Sequence, residues 1–222
     1  FFIIFKIANY LRDTDSYHNF RLSCKSIRDS LPYIRSFYES GAIHSSVKIY
    51  RGITKGNKEI FYESGELKSS YALRNFKYHG LYKEFYESGK KKIEGRYYLN
   101  KKDGCYFEYY KNGLMSISEQ YFRGRREGSV FLYYDNGALK QEINFMNGQR
   151  NGVSKQYLKN GELIIEKSYK HDKLHGLYKE WNNGVLTILG CYMYGKLENE
   201  WDEFFPNGSR KLKKNYLDGK QH

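Results

Sequence analysis

Residues 79–103 read HGLYKEFYESGKKKIEGRYYLNKKD, and this stretch decides the fold because close variants of it recur along the chain. Its pentapeptide FYESG also occurs at 37–41 and 61–65, so the three copies start 24 residues apart. Repetition at a fixed interval of this length is typical of proteins built from stacked supersecondary units. The glycine that ends FYESG marks the same position in every copy. These marker glycines lie at positions 41, 65, 89, 113, 137, 161, 184 and 208.

A second glycine series precedes the markers and has the same period. Its members lie at positions 56, 80, 104, 128, 152 and 176, and Asn199 takes the place of glycine in the last copy. Every interval between markers is 24 residues except the last but one, which is 23. If the missing residue lies in the turn, Trp181 is the equivalent of Phe85 in that copy. The two series define about eight copies of a 24-residue unit over residues 32–222.

Two further positions of the unit carry large apolar side chains. Four residues before the marker lie Phe37, Phe61, Phe85, Tyr109, Tyr133, Tyr157 and Phe204. Eight residues after it lie Ile49, Leu73, Tyr97, Tyr121, Phe145, Tyr169, Tyr192 and Tyr216. We therefore expect two rows of large side chains that run through the whole array.

Within a unit, apolar residues alternate with polar ones, which predicts β-strands with one buried face. Residues 139–145 read LKQEINF, and the segment before a marker, such as GLYKEFYE at 80–87, is a second, aromatic-rich strand. Between the two strands lie ESG, KNG, DNG and similar triplets, in which glycine supplies the positive φ of a hairpin turn. Each unit is predicted to be one β-hairpin.

The unit at 79–103 resembles the variant MORN (membrane occupation and recognition nexus) repeat, with its paired aromatic residues, Ser-Gly or Asn-Gly turn and later aromatic residue. The resemblance covers about 190 of the 222 residues. It implies a sheet of successive hairpins, which the residue pattern predicts independently. The expected fold is mostly β: an elongated antiparallel β-meander of about eight hairpin repeats, with a short α-helical N-terminal segment.

Residues 1–31 do not follow the repeat, and their apolar spacing predicts two short helices. The segment resembles the later part of an F-box, truncated because the usual opening Leu-Pro is absent, and Ile27 replaces the frequent Trp. The matched residues are Ile4, Ile7, Leu11, Leu22, Cys24, Lys25, Ile27 and Leu31. The alternative is a helical cap on the first strand of the array.

The F-box resemblance implies a function as well as a partner. F-box helices bind a Skp1-type adaptor of a ubiquitin ligase, and the repeats of such a receptor would bind an unidentified target protein. F-box and MORN-like repeats together resemble proteins of large DNA viruses, which implies the cytoplasm of a eukaryotic host cell. Two alternatives stay open: a peripheral membrane scaffold that binds anionic lipid, and an antitoxin-like repeat protein with a helical cap.

Composition argues against several other classes of function. The three cysteines are far apart, which fits a reducing compartment and neither a disulfide framework nor a zinc site. No apolar run approaches the ~18 residues of a membrane helix, and no nucleotide-binding or hydrolase motif occurs. Nucleic-acid binding is disfavoured, because the sheet needs its aromatic rows for its own packing. We expect no enzyme, no cofactor and no metal.

Charged residues recur at two places in the repeat: carboxylates at one position of the strands and basic residues in the loops between units. Four carboxylates at equivalent positions are interpreted as a solvated row: Glu84, Glu108, Glu180 and Glu203. The net charge is +13, and the loops between units, which share one edge of a meander, carry an excess of basic residues. That edge either binds an anionic partner or is solvated. Its candidate anion-binding residues are Lys101, Lys102, Arg125, Arg126, Arg150 and Lys173.

Overall fold

The computed structural model describes residues 33–48 and 55–222, which form antiparallel strands joined by tight turns. The chain divides into two compact units, Phe1–Lys102 and Asp103–His222. In each unit consecutive strands pair antiparallel, which confirms the predicted meander of hairpins. The helical segment predicted at 1–31, with all its F-box-like residues, lies outside the described residues, so its boundary stays a prediction.

The described part of unit 1 forms six strands. These are β1 (Tyr33–Phe37), β2 (Ile43–Lys48), β3 (Lys55–Phe61), β4 (Leu67–Arg74), β5 (Lys77–Phe85) and β6 (Lys91–Tyr98).

Strand β7 begins at the boundary between the units, and unit 2 continues to the last strand. The strands are β7 (Lys101–Tyr109), β8 (Met115–Phe122), β9 (Arg125–Arg126), β10 (Gly128–Tyr133), β11 (Leu139–Met146), β12 (Gln149–Tyr157), β13 (Leu163–Lys170), β14 (Lys173–Asn182), β15 (Val185–Met193), β16 (Lys196–Phe204), β17 (Arg210–Leu217) and β18 (Lys220–Gln221). Strands β9 and β10 both pair with β8 and together take the place of one longer strand.

The marker glycines close the hairpin turns. In the third FYESG copy, the Tyr86 N–H donates to the Lys90 carbonyl over 2.8 Å, and the Gly89 N–H donates to the Tyr86 carbonyl over 2.9 Å. Gly89 has a φ of 78°, which glycine adopts without the steric cost of a side chain. This geometry is a type I turn followed by a glycine bulge.

The short interval between marker glycines is explained by a different turn. Asn183 and Gly184 have φ values of 51° and 73°, which define a two-residue type I′ turn. Trp181 pairs with Leu186, in the register that Phe85 has in its own copy. The deletion therefore lies in the turn, which confirms Trp181 as the equivalent of Phe85.

The second glycine series forms bulges near the start of alternate strands, where the register shifts. Gly80, Gly152 and Gly176 have φ values of 109°, 104° and 103°. A Cβ at Gly176 would lie 3.2 Å from the Cβ of Ser168 on the preceding strand, so glycine also permits close approach. Asn199 has a φ of 61° and stands in for glycine as predicted, because Asn tolerates this region better than most residues.

Tyrosine rings cover one face of unit 1, and we call the equivalent face of each unit its tyrosine face. The ring centroids of Tyr71 and Tyr82 lie 5.9 Å apart, and Tyr78 meets both rings edge-on at 4.8 and 5.9 Å. Tyr97 lies 5.5 Å from Tyr78. Burial, with the neighbouring Tyr78, raises the pKa of Tyr71 to about 12. The rings are thus buried largely by one another.

The tyrosine face of unit 2 contains a second aromatic cluster. Tyr178 and Trp201 stack with centroids 6.0 Å apart, and Tyr192 meets them edge-on at 5.7 and 6.4 Å. Gly190 lies directly opposite Trp201 on the neighbouring strand. A Cβ at Gly190 would lie 2.4 Å from Cε3 of the indole, so the missing side chain makes room for the ring.

A buried carboxylate interrupts the rings of unit 2. Glu119 lies opposite Tyr106, and one of its oxygens accepts a hydrogen bond from the Tyr121 hydroxyl over 2.6 Å. Its other oxygen accepts from Nε of Arg126 over 2.9 Å. Burial and the bond to Glu119 raise the pKa of Tyr121 to about 12. The charge of Glu119 is therefore paired, as a buried charge requires.

The face opposite the tyrosines carries cross-strand ion pairs. Glu166 lies 3.8 Å from Lys155 and 3.3 Å from Lys179 on the two neighbouring strands. In unit 1 Glu94 lies 4.0 Å from Lys83. Such partly solvated pairs each contribute little, on the order of 0–1 kcal/mol, but opposite charges on facing strands favour the observed register.

Substitution of Gly190 by alanine is expected to destabilise unit 2 by about 1–3 kcal/mol, because the new methyl group would overlap the indole of Trp201. The measurement is the free energy of unfolding from urea titration. In the double variant Gly190→Ala/Trp201→Leu the overlap is gone, so adding Gly190→Ala to Trp201→Leu should cost much less than adding it to the wild type. Equal costs in both backgrounds would contradict this packing.

Stability is expected to fall between pH about 10 and about 12. The phenols of Tyr71 and Tyr121 ionise near pH 10.0 in the unfolded chain and near pH 12 in the folded one. Their contribution is complete below the unfolded pKa and is lost as pH rises towards the folded pKa. Urea midpoints at stepped pH, with tyrosinate absorbance, test this. Tyr71→Phe should reduce the loss, and a midpoint independent of pH would contradict the burial of these phenols.

Candidate functional site

The edge of each unit that contains the marker glycines, the turn edge, is tied together by tyrosine hydroxyls. In these copies the tyrosine three residues before the marker glycine donates a hydrogen bond from its hydroxyl. The acceptor is the backbone carbonyl of the aromatic residue four positions before the next marker glycine. The donor and acceptor pairs are Tyr38–Phe61, Tyr62–Phe85, Tyr110–Tyr133 and Tyr134–Tyr157, at 2.7–2.9 Å. The tyrosine of FYESG therefore links successive repeats.

Charged groups at the turn edge also find partners within it. Asp135 and Lys159 form an ion pair of 2.5 Å, and the hydrogen bond from Lys159 lowers the pKa of Asp135. Nζ of Lys68 lies 5.3 Å from the centre of the Tyr62 ring, and Nζ of Lys140 lies 5.5 Å from that of Tyr134. These four charged side chains therefore have partners within the turn edge itself.

The opposite edge, the loop edge, contains the two-residue loops that join one hairpin to the next. The second residue of a loop donates its N–H to a carbonyl of the preceding copy. The donor and acceptor pairs are Asn100–Tyr78, Gly148–Arg126, Asp172–Arg150, Gly195–Leu174 and Gly219–Leu197, at 2.7–3.0 Å. The loops are therefore fixed in position by the neighbouring repeat.

Two acidic residues of the loop edge accept hydrogen bonds from backbone N–H groups. A carboxylate oxygen of Asp103 accepts from the Arg123 N–H over 2.9 Å, and one of Glu127 accepts from the Asn147 N–H over 2.8 Å. His175 occupies the equivalent position, and its Nδ1 lies 3.4 Å from the Tyr194 N–H. These carboxylates are already committed to hydrogen bonds, so they compensate the surrounding cations only in part.

Two of the predicted edge arginines are engaged within unit 2. Arg126 pairs with Glu119 at 2.8 Å. Arg150 contacts Asp172 at 3.0 Å and lies 4.3 Å from the centre of the Tyr169 ring. Hydrogen bonds from the backbone and guanidinium of Arg150 lower the pKa of Asp172. Both arginines thus stabilise the repeat itself, and their role in anion binding stays a prediction.

The other predicted cations differ in their surroundings. Arg125 and Lys173, in unit 2, are exposed, and no carboxylate of the described residues lies within ion-pair distance of either. Lys101 is exposed and Lys102 half-buried at the end of unit 1. Arg125 and Lys173 are therefore the predicted residues of unit 2 best placed to meet an external anion.

Sequence reasoning missed a row of exposed apolar side chains beside these cations. Each lies nine positions after a marker glycine, directly after the aromatic residue at the eighth position. Their exposed fractions are Phe122 60%, Leu217 55%, Met193 51% and Met146 46%. Since neighbours on a strand point to opposite faces, they lie opposite the tyrosine face. The period of 24 was the signal that could have found them.

The four equivalent carboxylates are half-buried rather than solvated, which corrects the sequence interpretation. They lie among the rings of the tyrosine face, and three have partners there. Glu84 accepts from the Tyr82 hydroxyl over 3.1 Å and from Nζ of Lys92 over 2.7 Å. Glu180 accepts from the Tyr178 hydroxyl, and Glu203 lies 3.7 Å from Lys211. Glu108 shares their position.

Among the described residues there is neither a metal-binding cluster nor a membrane-spanning helix. Across 33–48 and 55–222, no group of three His, Cys, Asp or Glu side chains is arranged to bind a metal ion. Over the same ranges no helix has both the length and the apolar character needed to cross a bilayer. What the site does offer a partner is a set of exposed cations and apolar side chains on a fixed backbone.

Fold and edges together define a repeat protein in which each 24-residue copy is one hairpin. Three segments, 78–100, 126–147 and 150–171, match the family model described as MORN repeat variant. Each match spans one hairpin and ends in its two-residue loop. The matches support a MORN-repeat protein, and repeats of this family are non-catalytic modules that generally bind protein or lipid. No curated protein matches the chain.

Substitution of Tyr134 by phenylalanine is expected to cost about 0.5–1.5 kcal/mol of unfolding free energy, because it removes the hydrogen bond to the Tyr157 carbonyl and leaves the ring in place. Tyr133→Phe is the matched control: it removes a hydroxyl from the neighbouring residue and preserves the Tyr133 carbonyl, which accepts from Tyr110. Urea titration of both variants measures the difference. Equal effects would contradict a role of the Tyr134 hydroxyl in linking repeats.

Proposed function

We propose that the chain is a non-enzymatic adaptor whose hairpin repeats bind a target protein and whose residues 1–31 bind a Skp1-type adaptor, as in an F-box substrate receptor. The location that goes with this function is the cytoplasm of a eukaryotic cell. The repeats supply a surface that is built from many equivalent positions, and the N-terminal segment supplies the connection to the ubiquitin ligase.

One observation supports the target-binding part of the proposal above others. Exposed apolar side chains lie along the loop edge of unit 2 beside Arg125, Lys170 and Lys173, which have no carboxylate of the described residues within ion-pair distance. Large exposed apolar side chains that lie together mark interaction sites on soluble proteins. The hydrogen bonds between repeats fix the backbone there, which limits the conformational entropy lost on binding.

The connection to a Skp1-type adaptor is supported by the residue pattern alone, since residues 1–31 lie outside the described residues. The test is co-purification of Skp1 with the tagged chain from eukaryotic cells. Skp1 is expected in the eluate, and Ile7→Asp/Leu11→Asp should abolish its recovery because charges would replace apolar contacts. Circular dichroism should report an unchanged β-sheet in that variant.

Two results would count against the receptor. Absence of Skp1 from the purified chain would remove the F-box part of the proposal. Recovery that persists in Ile7→Asp/Leu11→Asp would place the contact outside the F-box-like residues. Tyr133→Phe serves as a control that changes the repeats without touching residues 1–31.

A second candidate is a peripheral scaffold that binds anionic lipid through the loop edge. The exposed Arg125 and Lys173 favour it, because cations near a membrane surface are attracted to acidic headgroups. Flotation with vesicles that contain phosphatidylserine should then succeed at low salt and fail at high salt. Flotation that does not depend on lipid charge would contradict this candidate.

A further inference from the structure

The last residue pairs before the two-residue loops of unit 2 form a continuous row on the face opposite the tyrosines, which we call the edge row. Each pair joins one strand to the next directly before the loop. The pairs are Phe122–Arg125, Met146–Gln149, Lys170–Lys173, Met193–Lys196 and Leu217–Lys220. The row therefore contains four apolar residues, five cations and no acidic residue, and one of the cations, Lys196, is paired with Asp218 of the following loop at 2.8 Å.

The centre of the edge row places like charges opposite each other. Lys170 and Lys173 are direct cross-strand neighbours, an arrangement that destabilises a sheet. Both are exposed, and no carboxylate of the described residues lies within ion-pair distance of either, although Nζ of Lys170 lies 5.8 Å from the centre of the Tyr194 ring. An external anion at this place would relieve the repulsion between the two ammonium groups.

The width of the edge row favours a single chain segment over a membrane plane. The row is one side chain wide, and Glu166, with its ion pairs, lies on the same face further from the loops. Asp172 and Asp218 lie on its other side, in the loops. An anionic membrane would approach these carboxylates together with the cations, whereas a narrow segment can contact the row alone.

The spacing within the edge row fits an α-helix that lies across the strands. Neighbouring strands are about 4.8 Å apart, so apolar residues on alternate strands, such as Met193 and Leu217, are separated by roughly 9.6 Å. A helix advances about 10.5 Å in seven residues and about 5.4 Å per turn. Side chains seven residues apart on a helix can therefore meet Phe122 and Met146, or Met193 and Leu217. Met146 and Met193 are four strands apart, about 19 Å or two seven-residue steps, and the middle step falls on Lys170.

We propose that the edge row of unit 2 is the docking site for an acidic amphipathic helix of a partner protein. Apolar side chains seven residues apart pack against Phe122 and Met146 and again against Met193 and Leu217. Carboxylates at the register between these two pairs meet Lys170 and Lys173. This inference rests on the proposed target-binding function and names the chemistry of the partner.

The test uses a fluorescein-labelled synthetic helix of about 30 residues, about 45 Å long, with five positions spaced seven residues apart. Leu occupies the first, second, fourth and fifth of these positions, Glu occupies the third and the turns between them, and Ala fills the remaining positions. Fluorescence anisotropy is measured against the full chain at low salt. Binding is expected, and Lys170→Glu/Lys173→Glu should weaken it about tenfold or more, since two attractions become repulsions. Met193→Ser/Leu217→Ser should also weaken it, because apolar contact is lost.

The matched control is Lys111→Glu/Lys159→Glu, which makes the same change of net charge at the turn edge of the same unit. It should leave the dissociation constant of the peptide unchanged. A peptide with Lys in place of each Glu should not bind, and a peptide with Ser in place of each Leu should bind more weakly. Circular dichroism should show the same β-sheet content in all three variants.

Several results would overturn the docking site. These are no binding of the acidic peptide, equal loss in the edge and turn-edge variants, or binding of phosphatidylserine vesicles through the edge row with no binding of the peptide. Skp1 recovery depends on residues 1–31 and not on the edge row. A failed peptide titration with Skp1 still recovered would thus overturn this inference and leave the receptor connection intact.

Discussion

Each described unit is a single layer of strands, and this constraint governs the rest of the structure. A strand face that no second layer covers must be buried by side chains on the neighbouring strands. Small aliphatic side chains cannot reach far enough along a sheet to do so, whereas tyrosine rings contact both opposite and diagonal neighbours. The contacts of Tyr78 with Tyr71, Tyr82 and Tyr97 show this directly. Aromatic residues thus replace the interior of an ordinary domain.

The same constraint applies to polar groups at the two edges. A turn with no covering layer has backbone groups that need partners, and the next repeat is the nearest source. The Tyr134 hydroxyl reaches the Tyr157 carbonyl at one edge, and the Gly148 N–H reaches the Arg126 carbonyl at the other. These hydrogen bonds join each copy to the next at the same positions of the repeat. The type I′ turn at Asn183 shortens one copy and preserves the strand register on either side.

The sequence predicted the features that depend on the period and missed those that depend on contacts between copies. Spacing alone identified the hairpins, the turn at Gly89 and the equivalence of Trp181 with Phe85. The hydroxyl of Tyr134 was assigned no partner, because its acceptor lies 23 residues away on another hairpin. The carboxylate of Glu84 was expected in solvent, since its half-burial results from rings on neighbouring strands. The edge row was missed because its members differ chemically from copy to copy.

That chemical variation separates the residues that build the fold from those free to recognise a partner. The marker glycine and the aromatic residue eight positions later recur because every copy needs the same turn and the same packing. The position directly after that aromatic residue carries Phe122, Met146, Lys170, Met193 and Leu217 in successive copies of unit 2. Since these side chains are exposed and the backbone beneath them is fixed, each can change without altering the hairpin. A meander of this kind can therefore acquire a binding specificity one strand at a time.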